Sequence, residues 1–430
     1  MNFKVKYFLF AFFLALIFLP FIVKTLNLFN EKPLGGAWIP AEKPIFTDST
    51  WFSGEFQQQR EKYLNENIGL YKTLVRLNNQ LKFSLYKKVN AEKVVVGKKN
   101  YLFEENYIFA TLGKDFVGEE KLKELVEKFK RAQLILEEYN IKILYVFAPG
   151  KATFFREFIP EKYYGEGVNP ITNYGTLVKL LNENKIDYID FNKYFLEIKN
   201  KSPYPLFPKA GIHWSTYGMY IAADSIIKKV EKDLGKDLPD IMVNEIEISE
   251  EQRNPEYDLG DLINILFPIK TYPLGYPKFS YKKENKYRPR VLVVGDSFYW
   301  NIYYSGIASN VFNGLDFYYY NSKYYNDGTS NPKSEVGNIE YFKEISKYEY
   351  IIILQTDGGL NNFGFGVFDK IINSYSYGEI SPGVQKYIDA IKKDAKWLQH
   401  IKEKAKQRGK SLDEMILLDA KYMYEQEQKN

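Results

Sequence analysis

The chain has 430 residues, a formal net charge of +5, no cysteine and two histidines. Disulfides, cysteine-based zinc sites and thiol catalysis are excluded, and so small a charge without an arginine-rich or RNA-binding signature offers no case for nucleic-acid binding. The length suffices for a large core and more than one structural unit, while the 37 tyrosines and 32 phenylalanines fit either aromatic sugar-binding faces or a general compositional bias.

Tyr7 to Val23 is an uncharged run of 17 residues, the short limit for a membrane-spanning helix. Lys4 and Lys6 precede it, and the positive-inside rule keeps them in the cytoplasm and sends the body outward, an asymmetry that Lys24 weakens. A cleaved signal peptide is the alternative. No A-x-A site follows and the run is long for such a peptide, so an uncleaved single-pass anchor in the cytoplasmic (inner) membrane is expected, with an extracytoplasmic body. Pro33, Gly35, Gly36, Pro40 and Pro44 then read as an extended tether. Residues 51–90 repeat apolar positions at helical intervals (Leu74, Leu77, Leu81, Leu85), and Val94 to Phe103 reads as a hairpin.

From there the pattern alternates. Leu122, Leu125, Val126, Phe129 and Leu136 mark one face of a helix, and Ile141–Ala148 is a short apolar strand. A helix is expected over Ile171–Leu181, a strand over Ile186–Phe191 and a helix over Tyr217–Leu234. Further strands are expected at Arg290–Val294, Leu315–Tyr320 and Tyr350–Leu354. Strands separated by helices imply an α/β fold with a mostly parallel central sheet and ligands at the carboxyl ends of its strands. Tyr387–Arg408 and Leu412–Gln426, broken by Gly409, read as a two-helix C-terminal extension. The expected domains are an anchor (1–30), a tether and juxtamembrane helical region (31–90), the α/β domain (91–375) and the helical extension (376–430).

Two segments carry chemistry. Val291-Leu-Val-Val-Gly-Asp-Ser-Phe298 is a buried strand ending in a turn that presents Ser297, with helix-start N–H groups beside it to stabilise an oxyanion. Gly211-Ile-His-Trp-Ser-Thr-Tyr-Gly218 places His213 beside Trp214. A serine and a scarce histidine are the minimum nucleophile and base for acyl transfer. His400 lies on the charged C-terminal helix and reads as solvated. With two distant histidines, no Asp/Glu string of calcium-loop spacing and no Walker or G-x-G-x-x-G loop, neither a metal nor another cofactor is expected.

In order and spacing the two segments, about 80 residues apart, resemble the SGNH-hydrolase-like family typified by the alginate O-acetyltransferases of the AlgX/AlgJ group. The 94–103 hairpin is similar to that family's entry hairpin, and Ala148-Pro-Gly-Lys-Ala-Thr-Phe154 to its P-x-K loop. The similarity spans roughly residues 50–375, with the histidine segment ahead of the serine segment, a permuted order relative to ordinary SGNH esterases. One departure is clear. The family's D-x-H-W aspartate, which orients the histidine, is replaced by Gly211. Asp296, Asp258, Asp261 and Asp357 are the candidate substitutes, each also readable as a turn or cap residue. Asn301, Gln355, Asn361 and Asn362 are candidate oxyanion donors beside the Ser297 N–H, and Trp214 and Lys151 candidate substrate contacts, Lys151 for an anionic uronate or otherwise solvated. The resemblance implies O-acetyl transfer to a polysaccharide acceptor through a Ser297 acetyl-enzyme, fed by a multi-span membrane acyltransferase partner. A carbohydrate acetyl-esterase and a catalytically silent glycan-binding or scaffold paralogue are the alternatives.

Overall fold

The computed structural model describes residues 3–28, 30–36, 38–375 and 382–427; residues 376–381, where the extension was expected to begin, lie outside them. The chain forms two compact units. The first comprises Met1–Glu105, Lys209–Ile212 and Arg253–Tyr272, the second Asn106–Pro208, His213–Gln252 and Pro273–Asn430.

The first unit opens with the helix Phe3–Leu26. Its span Val5–Leu26 has 22 residues, a mean hydropathy of 2.4 and is only 6% buried. At 1.5 Å per residue that is about 33 Å, long enough and apolar enough to cross a bilayer core, a property that anchors and signal sequences share. The Pro/Gly-rich segment that follows has no helix or strand before Asp48 among the described residues, yet it is held in place. Glu31 accepts from the amide and hydroxyl of Thr73, both at 2.6 Å, and so caps the helix Tyr71–Tyr86, whose own N-cap Leu70 offers no side-chain acceptor. Gly35 and Asn264 exchange two hydrogen bonds at 2.8 and 3.1 Å. The 51–90 region divides into Asp48–Phe52, Glu55–Asn67 and Tyr71–Tyr86 because Gly54 and Leu70 adopt positive φ. β1 (Val94–Val96) and β2 (Leu102–Glu104) form the expected antiparallel hairpin, with Val95 opposite Phe103.

The second unit holds β3 (Lys142–Ala148), β4 (Tyr188–Asp190), β5 (Asp240–Ser249), β6 (Leu274–Lys282), β7 (Val291–Gly295), β8 (Phe317–Tyr319), β9 (Lys323–Tyr325), β10 (Ser334–Glu335) and β11 (Tyr350–Thr356). Seven of them build the central sheet in the order β10-β9-β8-β7-β11-β3-β4. β8, β7, β11, β3 and β4 run parallel, and β9 alone is reversed, pairing antiparallel with both β8 and β10. All residues of β7 and β11 are buried. Strands covered on both faces need continuous apolar runs, which is why these read so plainly from sequence. Their carboxyl ends bring Asp296-Ser297 and Asp357 to one edge of the sheet.

The helix Glu119–Glu137 buries Leu122, Val126, Phe129, Ala132, Ile135 and Leu136 against that sheet. Phe129 stacks on Phe368 at 4.7 Å. The helix Thr216–Leu234 starts at Ser215, whose Oγ accepts from the Gly218 amide at 3.0 Å, and stops at Gly235 (φ 61°).

Two expectations required revision. β5 and β6 form a separate antiparallel ribbon that periodicity did not reveal. A bulge at 243–245 breaks the alternation of β5, and β6 contains Gly275 and Pro277, both ordinary strand breakers. Among its described residues the C-terminal extension has three helices, Pro382–Lys393, Ala395–Arg408 and Leu412–Glu427, because Asp394 accepts from the amides of Lys396 and Trp397 and starts a new helix. Val384, Ile391, Ile401, Met415 and Ala420 belong to the same buried cluster as Phe129 and Tyr145. These helices are part of the domain core. Ile391→Ala, at a fully buried position, is therefore expected to lower unfolding free energy by about 2–5 kcal/mol in denaturant titration, within one cooperative transition of the domain. An unchanged midpoint would contradict this packing.

Candidate active site

The Ser297 turn is built around one carboxylate. Asp296 is 3% exposed. Its Oδ1 accepts from the Phe298 amide at 3.0 Å, and its Oδ2 accepts from the amide and hydroxyl of Thr356 at 2.7 and 2.8 Å. Tyr107 Oη lies 3.1 Å from the same threonine hydroxyl. The carboxylate thus joins the turn after β7 to the end of β11. Burial raises its pKa, and the three donors and the nearby His213 imidazole oppose that rise. Gly295 lets the turn lie close to its neighbour, since a Cβ there would sit 3.1 Å from the Leu354 carbonyl oxygen.

Ser297 projects from this turn, partly exposed, with Oγ 2.9 Å from His213 Nε2. His213 is also partly exposed and lies against Phe298, ring centroids 4.9 Å apart. Trp214 is fully buried and meets Phe298 edge-on at 5.3 Å, so it wedges the site from below and presents nothing to a substrate. The start of the helix Thr216–Leu234 positions the imidazole. Phe298, Tyr299 and Trp300 engage their amides in the turn, whereas the Ser297 amide has no acceptor among the described residues.

The other candidates are placed as follows. Asp258 Oδ1 accepts from the Ile212 amide at 3.0 Å, one residue before the histidine, and from Leu259 N at 2.6 Å. Asp261 is an exposed residue whose carboxylate meets Lys32 Nζ at 3.5 Å. Gln355 is fully engaged in shaping the loop after β11: its Nε2 donates to the carbonyls of Gly359 and Asn362, and its Oε1 accepts from Tyr145 Oη and the Gly364 amide. No Gln355 donor remains for an oxyanion. Asn361 and Asn362 are exposed in that loop. Asn301 sits in the first turn after Ser297, its amide oxygen buried without a partner. Lys151, 1% exposed, is inside the domain rather than solvated.

Asp357 closes the β11 side of the site. It is buried, accepts from the Thr153 hydroxyl through Oδ2 and leaves Oδ1 without a partner. Burial first, then the negative charges of Asp115 and Asp296, push its pKa up to about 7 against the Thr153 and Gly358 hydrogen bonds. Gly150 makes room for it, because a Cβ at 150 would come within 1.9 Å of that carboxylate. The glycine at 211 has an equally physical cause. A Cβ there would lie 2.5 Å from the Glu256 carbonyl oxygen, so the segment has no space for the aspartate of the D-x-H-W pattern.

Sequence reasoning passed over Thr356 and Thr153, which bond the two acids, and Tyr107, whose hydroxyl meets that of Thr356. The only signal for Thr356 is a hydroxyl residue at the end of a mostly apolar strand. It also passed over the aromatic run after Ser297, although Trp300 and Tyr304 stand four apart on one helix.

Residues 94–303 match the family described as the SGNH hydrolase-like domain of the acetyltransferase AlgX. Among solved structures, the chain is similar to the O-acetyltransferase domain of Pseudomonas putida AlgJ, at 14% identity and a TM-score of 0.42 over 65% of this chain and 99% of that one. It is also similar to Pseudomonas aeruginosa AlgX, at 14% identity and a TM-score of 0.40 over 68% and 71%. No curated protein sequence matches it.

Two outcomes are expected here. Gly211→Asp should cost at least about 2 kcal/mol through overpacking, read as a lower Tm, and should not raise turnover; a variant of wild-type stability would show that the Glu256 segment yields easily. Asp357→Asn tests the raised acid. Because the folded pKa lies above the unfolded value, its protonation favours the fold at low pH and that contribution is lost as pH rises through about 7. The variant's stability relative to wild type should therefore increase between about pH 4 and 8, by up to about 4 kcal/mol. A constant difference in unfolding free energy across that range would refute the assignment.

Proposed function

We propose, from the match of residues 94–303 to the SGNH hydrolase-like domain of the acetyltransferase AlgX, that the chain transfers acetyl groups to hydroxyls of a cell-surface or secreted polysaccharide. One observation carries this reading: a partly exposed serine Oγ stands 2.9 Å from a partly exposed imidazole Nε2 at the carboxyl edge of the sheet. His213 takes the Ser297 proton as Oγ attacks the acetyl carbonyl. The tetrahedral oxyanion is met by the Ser297 amide, which is free to donate. Collapse returns the proton from His213 to the leaving group and leaves acetyl-Ser297. A sugar hydroxyl then gives its proton to His213, attacks the acetyl carbonyl and carries the acetyl group away, and Ser297 regains its proton.

The 22-residue apolar helix supports an anchor in the cytoplasmic membrane with the domain outside the cell's interior. Free acetyl donors are absent there, so the reading requires a multi-span membrane partner that delivers acetyl across the bilayer. The silent alternative draws on Gly211 alone, and hydrolysis with water as acceptor uses the same first half-reaction.

Ser297→Ala is expected to lower turnover of an activated acetyl ester by at least about 10³-fold, with His213→Gln similarly impaired. Mass spectrometry after a brief pulse of the ester should find one acetyl group on the wild-type peptide bearing Ser297. Full turnover in Ser297→Ala would remove the mechanism. Adding an oligosaccharide separates transferase from esterase by product.

A further inference from the structure

After Ser297 the chain continues Phe298-Tyr-Trp-Asn-Ile-Tyr-Tyr304. Phe298 is already helical (φ −65°, ψ −29°), and the helix runs to Tyr304. At 3.6 residues per turn Trp300 and Tyr304 share one stripe of this helix, which starts two residues after Ser297. Trp300 and Tyr304 stack with centroids 5.2 Å apart and planes 13° apart. Trp300 is wedged in turn by Phe317 at 4.9 Å and Tyr325 at 4.8 Å, both nearly perpendicular to it. Tyr304 therefore lies flat on a fixed ring while remaining 53% exposed.

A second exposed ring flanks the same turn. β8 pairs Tyr319 with Gly295, and the Tyr320 amide donates to the Gly295 carbonyl at 2.9 Å. Tyr320 is 47% exposed, and it too is fixed, 4.5 Å from Tyr319 and edge-on to Phe365 at 5.4 Å. Tyr319 contacts Trp300 at 5.4 Å, so the two exposed tyrosines rise from one continuous aromatic bed.

We propose that Tyr304 and Tyr320, backed by Trp300 and Tyr319, are the acceptor subsite, a platform on which pyranose rings of the polysaccharide stack while one of their hydroxyls faces Ser297. This rests on the acetyl-transfer reading. Rigid rings kept in water at the margin of a nucleophile suit a ligand with an apolar face and a polar rim, and a sugar ring has both. Their orientation is set before binding, so little side-chain entropy is lost on contact. Tyr304 ends the helix that begins two residues after Ser297, six residues or about 9 Å along its axis, a span that a chain of sugars bridges and a single sugar does not.

The test uses the full chain in detergent, an activated acetyl ester as donor, and cello-oligosaccharides and oligouronates from monosaccharide to hexasaccharide as acceptors. Tyr304→Ala and Tyr320→Ala should leave ester turnover without acceptor within about twofold of wild type. Both should raise the acceptor KM for hexasaccharides by about tenfold, the loss of a stacking contact, and Tyr304→Phe and Tyr320→Phe should restore it. Alanine variants with a wild-type acceptor KM would overturn the platform, as would equal transfer to monosaccharide and hexasaccharide. Ester turnover that survives Ser297→Ala would instead overturn the transfer reading itself. In that event hexasaccharide binding to the same alanine variants, followed by calorimetry, judges the platform alone: weaker binding upholds it and unchanged binding removes it.

Discussion

The arrangement depends on one buried carboxylate. Asp296 has lost its water, and a charge in that position is tolerable only if donors replace the solvent. The Phe298 amide and the two donors of Thr356 do so. Their geometry fixes the turn between them, and Ser297 is the residue left projecting from it. The same turn sets the ring of Phe298 between His213 and Trp214. A carboxylate with these three partners serves as the positioning element for the nucleophile.

Glycine is the complement of that constraint. Gly150 clears the volume taken by the Asp357 carboxylate, and Gly211 clears the path of the Glu256 backbone. In each case a missing Cβ lets another segment come closer than any side chain would allow. The departure from the D-x-H-W pattern is thus a packing feature of residues 211 and 256. It cannot be treated as an isolated substitution, because the backbone has closed over the place where the aspartate would begin. Asp258 accepts a hydrogen bond from the amide of Ile212, one residue before the histidine.

The aromatic excess divides once positions are known. Phe129, Tyr145, Phe147 and Phe363 are interior residues of the domain, and Trp214 and Phe298 are buried beneath the imidazole. Many rings are thus core. Tyr304 and Tyr320 are different: they are exposed, supported from behind and adjacent to the serine turn. The distinction is one of support, since a ring packed on other rings cannot fold away from water.

Much was legible from the residue order. The continuous apolar runs of β3, β7 and β11 announced a doubly covered parallel sheet, and Gly295-Asp-Ser at the end of such a run announced a presented hydroxyl. Local signals were enough there because burial on both faces and a tight turn each restrict residue type strongly. β5 and β6 stayed hidden because partly exposed strands with a bulge, a glycine and a proline impose no period. The third C-terminal helix stayed hidden because a single aspartate cap divides a pattern that is helical on both sides. The roles of Asp296, Asp357 and Gly211 depend on partners 60, 204 and 45 positions away. The chain alone determined which elements form and which one carries the serine, since these follow from neighbours a few residues apart. Tertiary structure decided which acids are buried, which amide is left free and which rings face water, because those are properties of the space between segments.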